Sequence, residues 1–488
     1  MFSLTHAPIL MVVILLTAAF IVPLLRKHLL VAKALFLGAG LLVTILSFLV
    51  AWNVLENGTM VYNVGGWAAP HGIALVVDAF AAYVSLVISV ISLVIFWFAV
   101  FAPREVKHEV GYYALILLLT AAMHGIVMAG DIFNLFVFVE ISSLAAVAII
   151  AVKGTKESIE ASFRYLILSA LGSGGLLFSI ALLFMVTGHL NMDLMRQTLE
   201  VTAGQYPLNV LTALAFMVVG LGVKSALFPL HIWLPDAHAN APTASSALLS
   251  GLVVKVYIVA LMRIAYMTLG MELFYLLPIR QILLVMASLA IVAGSVFAIV
   301  QDNIKRLLAF STVAQVGYIF LGFSLLSARA VEGAVWHILI HAIMKTLLFL
   351  AVGVVIHQSG YKKISQLHGL GRRMPLTFAC ITLGALSMVG IPGTAGFISK
   401  LYLALGALDA GQAIFAVLIL LSSLLSAVYY FPLIITAYFG HDASPTVVEP
   451  SLAVQLPLVV LAIAVLFYGL MPSILLPLVR QTALLITR

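Results

Sequence analysis

Long apolar runs recur along the whole 488-residue sequence, and they constrain its fold more than any other feature. A run of about 20 apolar residues can cross the hydrocarbon core of a bilayer as one helix. Fourteen such runs are expected, near residues 7–24, 30–51, 73–101, 110–129, 131–152, 163–187, 207–234, 244–269, 275–300, 306–326, 330–356, 375–407, 411–439 and 452–475. The sequence therefore predicts an all-α, polytopic membrane protein with about 14 transmembrane helices.

The composition excludes several other classes of protein. Apolar residues make up 64% of the chain and charged residues 8%, which is too few charges to cover a soluble core of this size. Cys380 is the single cysteine, so no disulfide or cysteine-held cluster can form within the chain. Neither a dinucleotide-binding glycine motif nor a phosphate-binding loop is present. We therefore predict no cofactor and no catalytic centre, and expect an ion gradient or a partner protein to supply the energy.

Basic residues are distributed unevenly between the two sets of alternating loops. One set holds 14 of the 24 lysines and arginines, including Lys305, and the other set holds Arg196, Arg263, Arg280, Arg329, Arg480 and Arg488. The positive-inside rule then places both termini outside. This asymmetry explains the net charge of +7 without a nucleic-acid partner. Because Arg26, Lys27 and Lys33 follow the first run, that run is expected to be a retained helix, not a cleaved signal.

The remaining four basic residues lie within apolar spans, and they are Lys224, Lys255, Lys345 and Lys400. A charged side chain at membrane depth is costly unless it is paired or hydrated, so it marks a functional candidate. Glu140 is the one acid that we expect to be well buried, whereas Asp131 is expected to cap the same helix. Glu140 forms either a structural ion pair or part of a proton relay. One glutamate cannot neutralise four lysines, which favours the relay.

A further group of polar residues is spaced to share one helix face. His337, His341 and Lys345 are four residues apart, and histidine both donates and accepts hydrogen bonds near neutral pH. A metal site is disfavoured, because no third ligand accompanies the histidines and a lysine repels a cation. Polar packing and a hydrated proton path remain open. His124 stands alone in its span and is expected to be a buried, hydrogen-bonded histidine outside such a path.

Two spans contain helix breakers beside their lysines. The breakers are Pro229, Pro235 and Pro242 after Lys224, and Gly390, Pro392, Gly393 and Gly396 before Lys400. Carbonyls freed by proline at membrane depth must face protein or a water-filled cavity, although an ordinary proline kink is the alternative. The spacing predicts two five-helix repeats of opposite orientation, at 110–270 and 271–440. A three-helix segment, 1–109, would precede them, and a C-terminal helix, 441–488, would follow.

Five segments, in this order, resemble the antiporter-like membrane subunits shared by complex I, membrane-bound hydrogenases and Mrp-type cation/proton antiporters. They are GDIFNLFVFVE (130–140), KSALFPLHIWLPDAHANAPT (224–243), DNIKRLLAFSTVAQVGY (302–318), HILIHAIMKTLLF (337–349) and GIPGTAGFISK (390–400). The resemblance covers residues 65 to 440 and implies a hydrated proton relay formed by Glu140, Lys224, Lys255, His337, His341, Lys345 and Lys400. GDIFNLFVFVE, GWAAPHGI and Asp78 are most similar to the D-type component of Mrp antiporters, whereas LHIWLPDAHANAPT is also similar to the hydrogenase and complex I proteins.

What the resemblance implies is a proton-translocating membrane subunit of a multisubunit Na⁺/H⁺ antiporter. Its partners would be other membrane subunits and its location a prokaryotic plasma membrane. The alternative is the proton-pumping subunit of a redox complex, such as a hydrogenase or quinone reductase, whose catalysis lies on other subunits. A structural scaffold with vestigial charges is the third hypothesis. It is disfavoured, because every relay position carries a residue of the type that the family has there.

Overall fold

The structure is a computed structural model that describes residues 4–439 and 447–487. In chain order its α-helices are α1 (Ala7–Leu24), α2 (Leu29–Asn57), α3 (Ala79–Phe101), α4 (Glu109–Met128), α5 (Ile132–Ala151), α6 (Lys156–Thr187), α7 (Met192–Thr202), α8 (Pro207–Lys224), α9 (Leu234–Asn240), α10 (Thr243–Leu248), α11 (Val254–Ile264), α12 (Met271–Leu276), α13 (Ile279–Ile299), α14 (Ile304–Leu325), α15 (Ala328–Ser359), α16 (Leu370–Arg373), α17 (Pro375–Val389), α18 (Ala395–Asp409), α19 (Ala413–Phe439), α20 (Leu452–Leu470) and α21 (Leu476–Thr487). Two π-helical segments, Leu249–Val253 and Ala265–Leu269, make α10 and α11 parts of one long helix.

The remaining regular elements are short. Strands β1 (Met60–Asn63) and β2 (Ala74–Val77) form an antiparallel hairpin in which Tyr62 lies opposite Leu75. Single 3₁₀ turns occupy Leu4–His6, Val64–Gly66, Ile364–Gln366 and Pro472–Leu475.

Within the described residues, thirteen helical stretches are long and apolar enough to cross a membrane. The predicted span at 375–407 is instead divided into α17 and α18, neither of which is long enough alone. Together they account for the fourteenth span, so the predicted all-α membrane fold is confirmed. The number and approximate positions of the spans follow from the apolar runs, because each run has the length that a bilayer requires.

The spans differ in how deeply they are enclosed. In the Thr243–Leu269 helix and in α15, every residue of an apolar 18-residue stretch is buried, and in α14 the buried share of such a stretch is 94%. The corresponding share is only 39% in α6 and 33% in α19. The enclosed helices carry Lys255, Lys345 and both histidines of the predicted relay. The bundle therefore places these ionisable side chains at its centre, away from lipid.

The expected loop position of Arg263 is wrong. Arg263 lies on α11 with no exposed surface, and its Nη1 donates to both carboxylate oxygens of Asp78, at 3.2 and 3.1 Å. Its Nη2 donates to the carbonyl oxygens of Val76 and Ala129, at 3.1 and 3.2 Å. A guanidinium can be buried when a carboxylate and carbonyls accept its donors in this way. The cluster joins the hairpin and the start of α3 to the far end of α11.

Two related expectations also need correction. Lys305 lies on α14 and is 5% exposed, although the sequence suggested a loop. Asp78 is buried, and the Glu140 side chain is 33% exposed, so Glu140 is not the best-buried acid. Removing Arg263 and Lys305 from the loop counts leaves 13 basic residues against five, so the charge asymmetry remains.

Candidate functional site

Glu140 and Lys224 form an ion pair at one flank of the bundle. The Lys224 Nζ lies 3.6 Å from the Glu140 Oε1, and the Ser173 hydroxyl donates to the same oxygen. Lys224 has no exposed surface, and its Nζ donates to the hydroxyls of Ser143 at 2.6 Å and Ser169 at 3.0 Å. The ammonium group therefore has two neutral acceptors in addition to its carboxylate partner.

Close contact between α6 and α8 brings Ser169 and Ser173 to the end of α8. A Cβ added at Gly220 on α8 would lie 2.5 Å from the carbonyl oxygen of Gly172 on α6. Only glycine permits such an approach of two helix backbones, as is common at helix contacts in membranes. Ser169 and Ser173 flank Gly172 on α6, so the contact places their hydroxyls beside the end of α8.

The helix that carries Lys224 stops at that residue. Residues 225–233 are not helical, and α9 starts at Leu234. Pro229 lies in this interruption and Pro235 is the second residue of α9. The Trp233 indole donates to the carbonyl oxygen of Val223 at 2.7 Å, which satisfies an acceptor that the missing helical turn leaves free.

Lys255 and Lys345 lie in the enclosed centre and are joined through α14. The Lys255 Nζ donates to the carbonyl oxygen of Ser250, within the first π-helical segment, and the hydroxyls of Ser250 and Thr312 lie 2.8 Å apart. The Lys345 Nζ donates to the carbonyl oxygen of Leu308 at 2.7 Å and to the Ser311 hydroxyl. Ser311 and Thr312 are consecutive on α14, so one turn of that helix contacts the surroundings of both lysines.

His337 and His341 stack on each other on α15. Their ring centroids are 5.6 Å apart and their planes differ by 7°. The His337 Nδ1 lies 2.9 Å from the Ser399 hydroxyl, whereas neither nitrogen of His341 has a partner among the described residues. Within those residues no group of three or more His, Cys, Asp or Glu side chains is arranged to hold a metal ion.

Lys400 lies at the second interrupted helix. Its Nζ donates to the carbonyl oxygens of Met388 at 2.7 Å and Val389 at 3.1 Å, the last residues of α17. These carbonyls are free because the chain leaves the helix at Gly390, and the negative end of the helix dipole favours a cation there.

The interruption itself is short. Pro392 lies within it, Gly393 has a φ of +87°, and α18 begins at Ala395. A Cβ at Gly396 would lie 1.8 Å from the Ser387 carbonyl oxygen, so the first turn of α18 lies directly against the end of α17.

The side chains of the predicted relay do not form one continuous hydrogen-bonded chain. Among the described residues no hydrogen bond joins Lys224 to Lys255 or Lys255 to His341. Tyr257 lies beside Lys224, because the Lys224 Nζ is 5.9 Å from the centre of its ring, and the Tyr257 hydroxyl lies 2.7 Å from that of Ser142. The predicted proton relay would therefore require water or side-chain movement at the remaining gaps.

The other singled-out polar residues lie outside this row. Asp131 accepts a hydrogen bond from the Asn134 N–H at 2.8 Å and so caps α5. His124 is fully buried, its Nε2 lies 3.3 Å from the Ser89 hydroxyl, and its Nδ1 has no partner in the described part of the chain. Pro242 directly precedes α10.

A polar cavity of about 450 Å³ opens on the side of the bundle that carries the basic loops, and Glu105, Lys153 and Lys305 line it. The Glu105 carboxylate lies 2.8 Å from the Lys153 Nζ. Burial raises the pKa of Glu105, but the ammonium groups of Lys305 and Lys153 outweigh this, and the pKa lies below its ordinary value. An ionised acid and two lysines therefore line the cavity, and the Lys305 Nζ donates to the carbonyl oxygen of the buried Ala241 at 3.0 Å.

Comparison with known proteins assigns this arrangement to a family. Residues 129–426 match the family described as NADH:quinone oxidoreductase/Mrp antiporter, transmembrane. The N-type component of the NADH-quinone oxidoreductase of Desulforudis audaxviator is 39% identical over 90% of this chain and 88% of that protein. The chain belongs to this family.

Other known proteins are similar over most of this chain. The D-type component of the Na⁺/H⁺ antiporter of Alkalihalophilus pseudofirmus is 32% identical, over 82% of this chain and 80% of that one. A chain of the archaeal membrane-bound sulfane sulfur reductase superposes with a TM-score of 0.92 at 35% identity, covering 99% of this chain and 98% of that chain. A chain of the Mrp complex from Dietzia superposes with a TM-score of 0.89 at 28% identity, covering 99% of this chain and 97% of that chain.

Sequence reasoning missed the hydroxyl groups that surround the lysines, and it also missed His238. Serines and tyrosines in apolar spans are common, so Ser143, Ser311 and Tyr257 carried no distinguishing signal. His238 is fully buried, stacks on Phe349 at 5.0 Å, and has no hydrogen-bond partner on either nitrogen among the described residues. Its position within an interrupted span, four residues before Pro242, was the available signal.

Proposed function

We propose that this chain is the proton-translocating membrane subunit of a multisubunit Mrp-type Na⁺/H⁺ antiporter. The observation that carries the proposal is the placement of Glu140, Lys224, Lys255, His337, His341, Lys345 and Lys400 on packed helices across one bundle, with the two outer lysines at interrupted helices. Buried ionisable residues next to broken transmembrane helices are typical of ion pathways. The likeness to the D-type antiporter component and to a chain of the Mrp complex supports the same proposal.

The Glu140–Lys224 pair is the proposed switch. With the carboxylate at 3.6 Å, the ammonium form of Lys224 is stabilised; if Glu140 moves away, an apolar environment favours release of the proton. Ser143 and Ser169 hold the lysine in place during that change, since a hydroxyl can accept from an ammonium or donate to a neutral amine. Proton movement then continues towards Lys255, Lys345, the histidines and Lys400.

The proposal includes partner subunits. Glu140 lies midway along α5, and its side chain is 33% exposed in the single chain. A carboxylate facing hydrocarbon at that depth is strongly disfavoured, so protein or trapped water must cover it in the assembled state. A neighbouring membrane subunit against α5 and α6 meets this requirement.

We also propose a prokaryotic plasma membrane as the location, with both termini outside, because basic residues are concentrated in the alternate loops. The two interrupted helices, each with a terminal or adjacent lysine, support the proposed inverted repeats at 110–270 and 271–440.

A second candidate function is favoured by one observation. Identity to the N-type component of the quinone oxidoreductase is 39%, against 32% for the D-type antiporter component, and the sulfane sulfur reductase chain is also similar. On this hypothesis the chain pumps protons in a redox complex. Purifying the native complex and identifying its subunits by mass spectrometry distinguishes the two: small antiporter subunits support the first, and iron–sulfur or nickel proteins the second.

The relay itself is tested by Glu140→Gln in the assembled complex. The change keeps the shape of the side chain but removes the charge that stabilises Lys224, so we expect assembly to continue and cation-dependent proton movement in inverted vesicles to be abolished. Glu56→Gln, at the exposed end of α2, is the matched control and should leave the rate unchanged. Wild-type rates in Glu140→Gln vesicles would contradict the proposed relay.

A further inference from the structure

An apolar groove of about 340 Å³ lies on the surface of the bundle between α2, α3 and α20. Leu37 and Leu41 of α2, Trp97 of α3 and Val460 of α20 are among its walls. Gly38 keeps it open, because no atom lies within 4 Å of the position that its Cβ would occupy. The groove is also held by a hydrogen bond from the Trp97 indole to the Ala453 carbonyl oxygen, at 2.9 Å, which joins α3 to α20.

Most of the groove lies on the half of the bundle that carries the α1–α2 and α3–α4 links. Gly38 is nine residues from the start of α2, Trp97 four from the end of α3, and Val460 eight from the start of α20. At about 1.5 Å per residue these positions are roughly 6 to 14 Å from the helix ends, and half of the hydrocarbon core is about 15 Å thick. An acyl chain whose headgroup lies at these helix ends therefore reaches the groove.

A polar cavity of about 250 Å³ follows the groove towards the membrane surface, and Lys33, Phe101 and Arg104 line it. Lys33 is one helical turn from Leu37, and the Phe101 ring lies 4.6 Å from that of Trp97, so both cavities use the same helix faces. The Glu109 carboxylate pairs with Arg104 and lies 3.7 Å from the Lys33 Nζ.

The same end of the bundle carries a surplus of positive charge. The α1–α2 and α3–α4 links, with the first five residues of α2 and the first residue of α4, contain the basic residues Arg26, Lys27, Lys33, Arg104 and Lys107 and the acidic residues Glu105 and Glu109. Arg26 and Lys27 are exposed. Such a surplus beside an apolar groove is complementary to an anionic headgroup with a hydrocarbon tail.

We propose that this groove binds one acyl chain of an anionic phospholipid, with the phosphate held by the basic residues of the α1–α2 and α3–α4 links. The opening has a volume of about 340 Å³ and is lined almost wholly by apolar side chains. A single hydrocarbon chain fits it. The proposal concerns the lipid surroundings of the protein and does not depend on the proton relay.

Quenching of Trp97 fluorescence by brominated lipid tests the proposal directly. The complex would be placed in phosphatidylcholine bilayers containing a small fraction of phosphatidylglycerol with brominated acyl chains, and the Trp97 signal obtained by difference from Trp97→Phe. We expect several-fold stronger quenching by this lipid than by the same fraction of brominated phosphatidylcholine. Gly38→Leu should fill the groove and reduce quenching by both lipids.

The headgroup contact is tested by Arg26→Gln with Lys27→Gln. Each basic residue near the membrane surface contributes about a fivefold preference for anionic over neutral lipid. The double variant should therefore lose at least a factor of five in its preference for brominated phosphatidylglycerol. Lys156→Gln with Arg372→Gln, exposed on other segments of the same face, is the matched control and should retain the preference.

Three results would overturn the proposal: equal quenching by both lipids, no quenching of Trp97 in the intact complex, or unchanged quenching in Gly38→Leu. Absence of quenching would mean that a partner helix covers the groove. If Gly38→Leu fails to assemble, the charge variants and Gly38→Ala decide the question. Proton movement is not the readout, so failure here is separate from failure of the proposed function.

Discussion

Hydroxyl and carbonyl groups, more than carboxylates, surround the buried ammonium groups of this protein. Lys224 contacts two serines, Lys345 contacts Ser311 and a backbone carbonyl, and Lys400 contacts two helix-end carbonyls. A hydroxyl can accept from a charged lysine or donate to a neutral one, whereas a carboxylate stabilises the charged form alone. The site at Lys224 is therefore suited to a residue that changes its protonation state.

Lys224→Arg tests this property. An arginine keeps the charge next to Glu140 but cannot release its proton, so we expect cation-dependent proton movement in vesicles to be lost, as in Lys224→Ala. Lys156→Arg, on the exposed first turn of α6, is the control and should behave as wild type. Full activity of Lys224→Arg would show that proton release from this residue is not part of the mechanism.

At the scale of the helices, local features of the structure could be predicted from the sequence and long-range contacts could not. Runs of apolar residues predicted the spans, and proline and glycine predicted where the helices carrying Lys224 and Lys400 are interrupted, because both signals are local. The burial of Arg263 depends on Asp78, 185 residues away in the chain, and the contact of Gly172 with Gly220 is equally non-local. The π-helical segment at Leu249–Val253, which offers the Ser250 carbonyl to Lys255, had no local signal either.

Gly220→Ala tests the contact between α6 and α8. The added methyl would lie 2.5 Å from the Gly172 carbonyl oxygen, so the helices must separate. We expect a loss of stability of about 1–3 kcal/mol, measured as a lower thermal unfolding temperature of the purified protein, together with slower proton movement because Ser169 moves away from Lys224. Gly174→Ala on α6, where nothing lies within 4 Å, is the control. An unchanged unfolding temperature would contradict this close contact.

At the scale of the whole molecule, the row of ionisable residues begins at a partly exposed glutamate on one flank and crosses an enclosed centre. Among the described residues, Glu140 is the only carboxylate placed in that row, and Lys224 lies beside it. A sodium site would require several hard oxygen ligands, usually with a carboxylate among them, and the adjacent ammonium would repel the ion. Among the described residues the single chain thus carries the proposed proton relay, and no group of three or more His, Cys, Asp or Glu side chains is arranged to hold a second ion.

We therefore expect the purified single protein, reconstituted into liposomes, to show no sodium-dependent proton movement. Exchange should appear when the partner subunits are added back. The measurement is the pH change inside the liposomes after a sodium pulse, with the intact complex as the positive control. Robust exchange by the lone chain, abolished by Glu140→Gln, would make it a self-sufficient transporter and overturn the proposed dependence on partners.

The exposed face of Glu140 also bears on how a cell would build such a complex safely. A newly inserted copy without neighbours would present this carboxylate to lipid. The hydrocarbon tails can neither donate a proton to it nor accept one from it. The proposed relay would then have no proton donor or acceptor at this flank, and the membrane potential would be preserved while assembly is incomplete. If a neighbouring subunit docks there as proposed, it would complete the relay and cover the exposed carboxylate in the same event, so that a copy without partners would not leak protons.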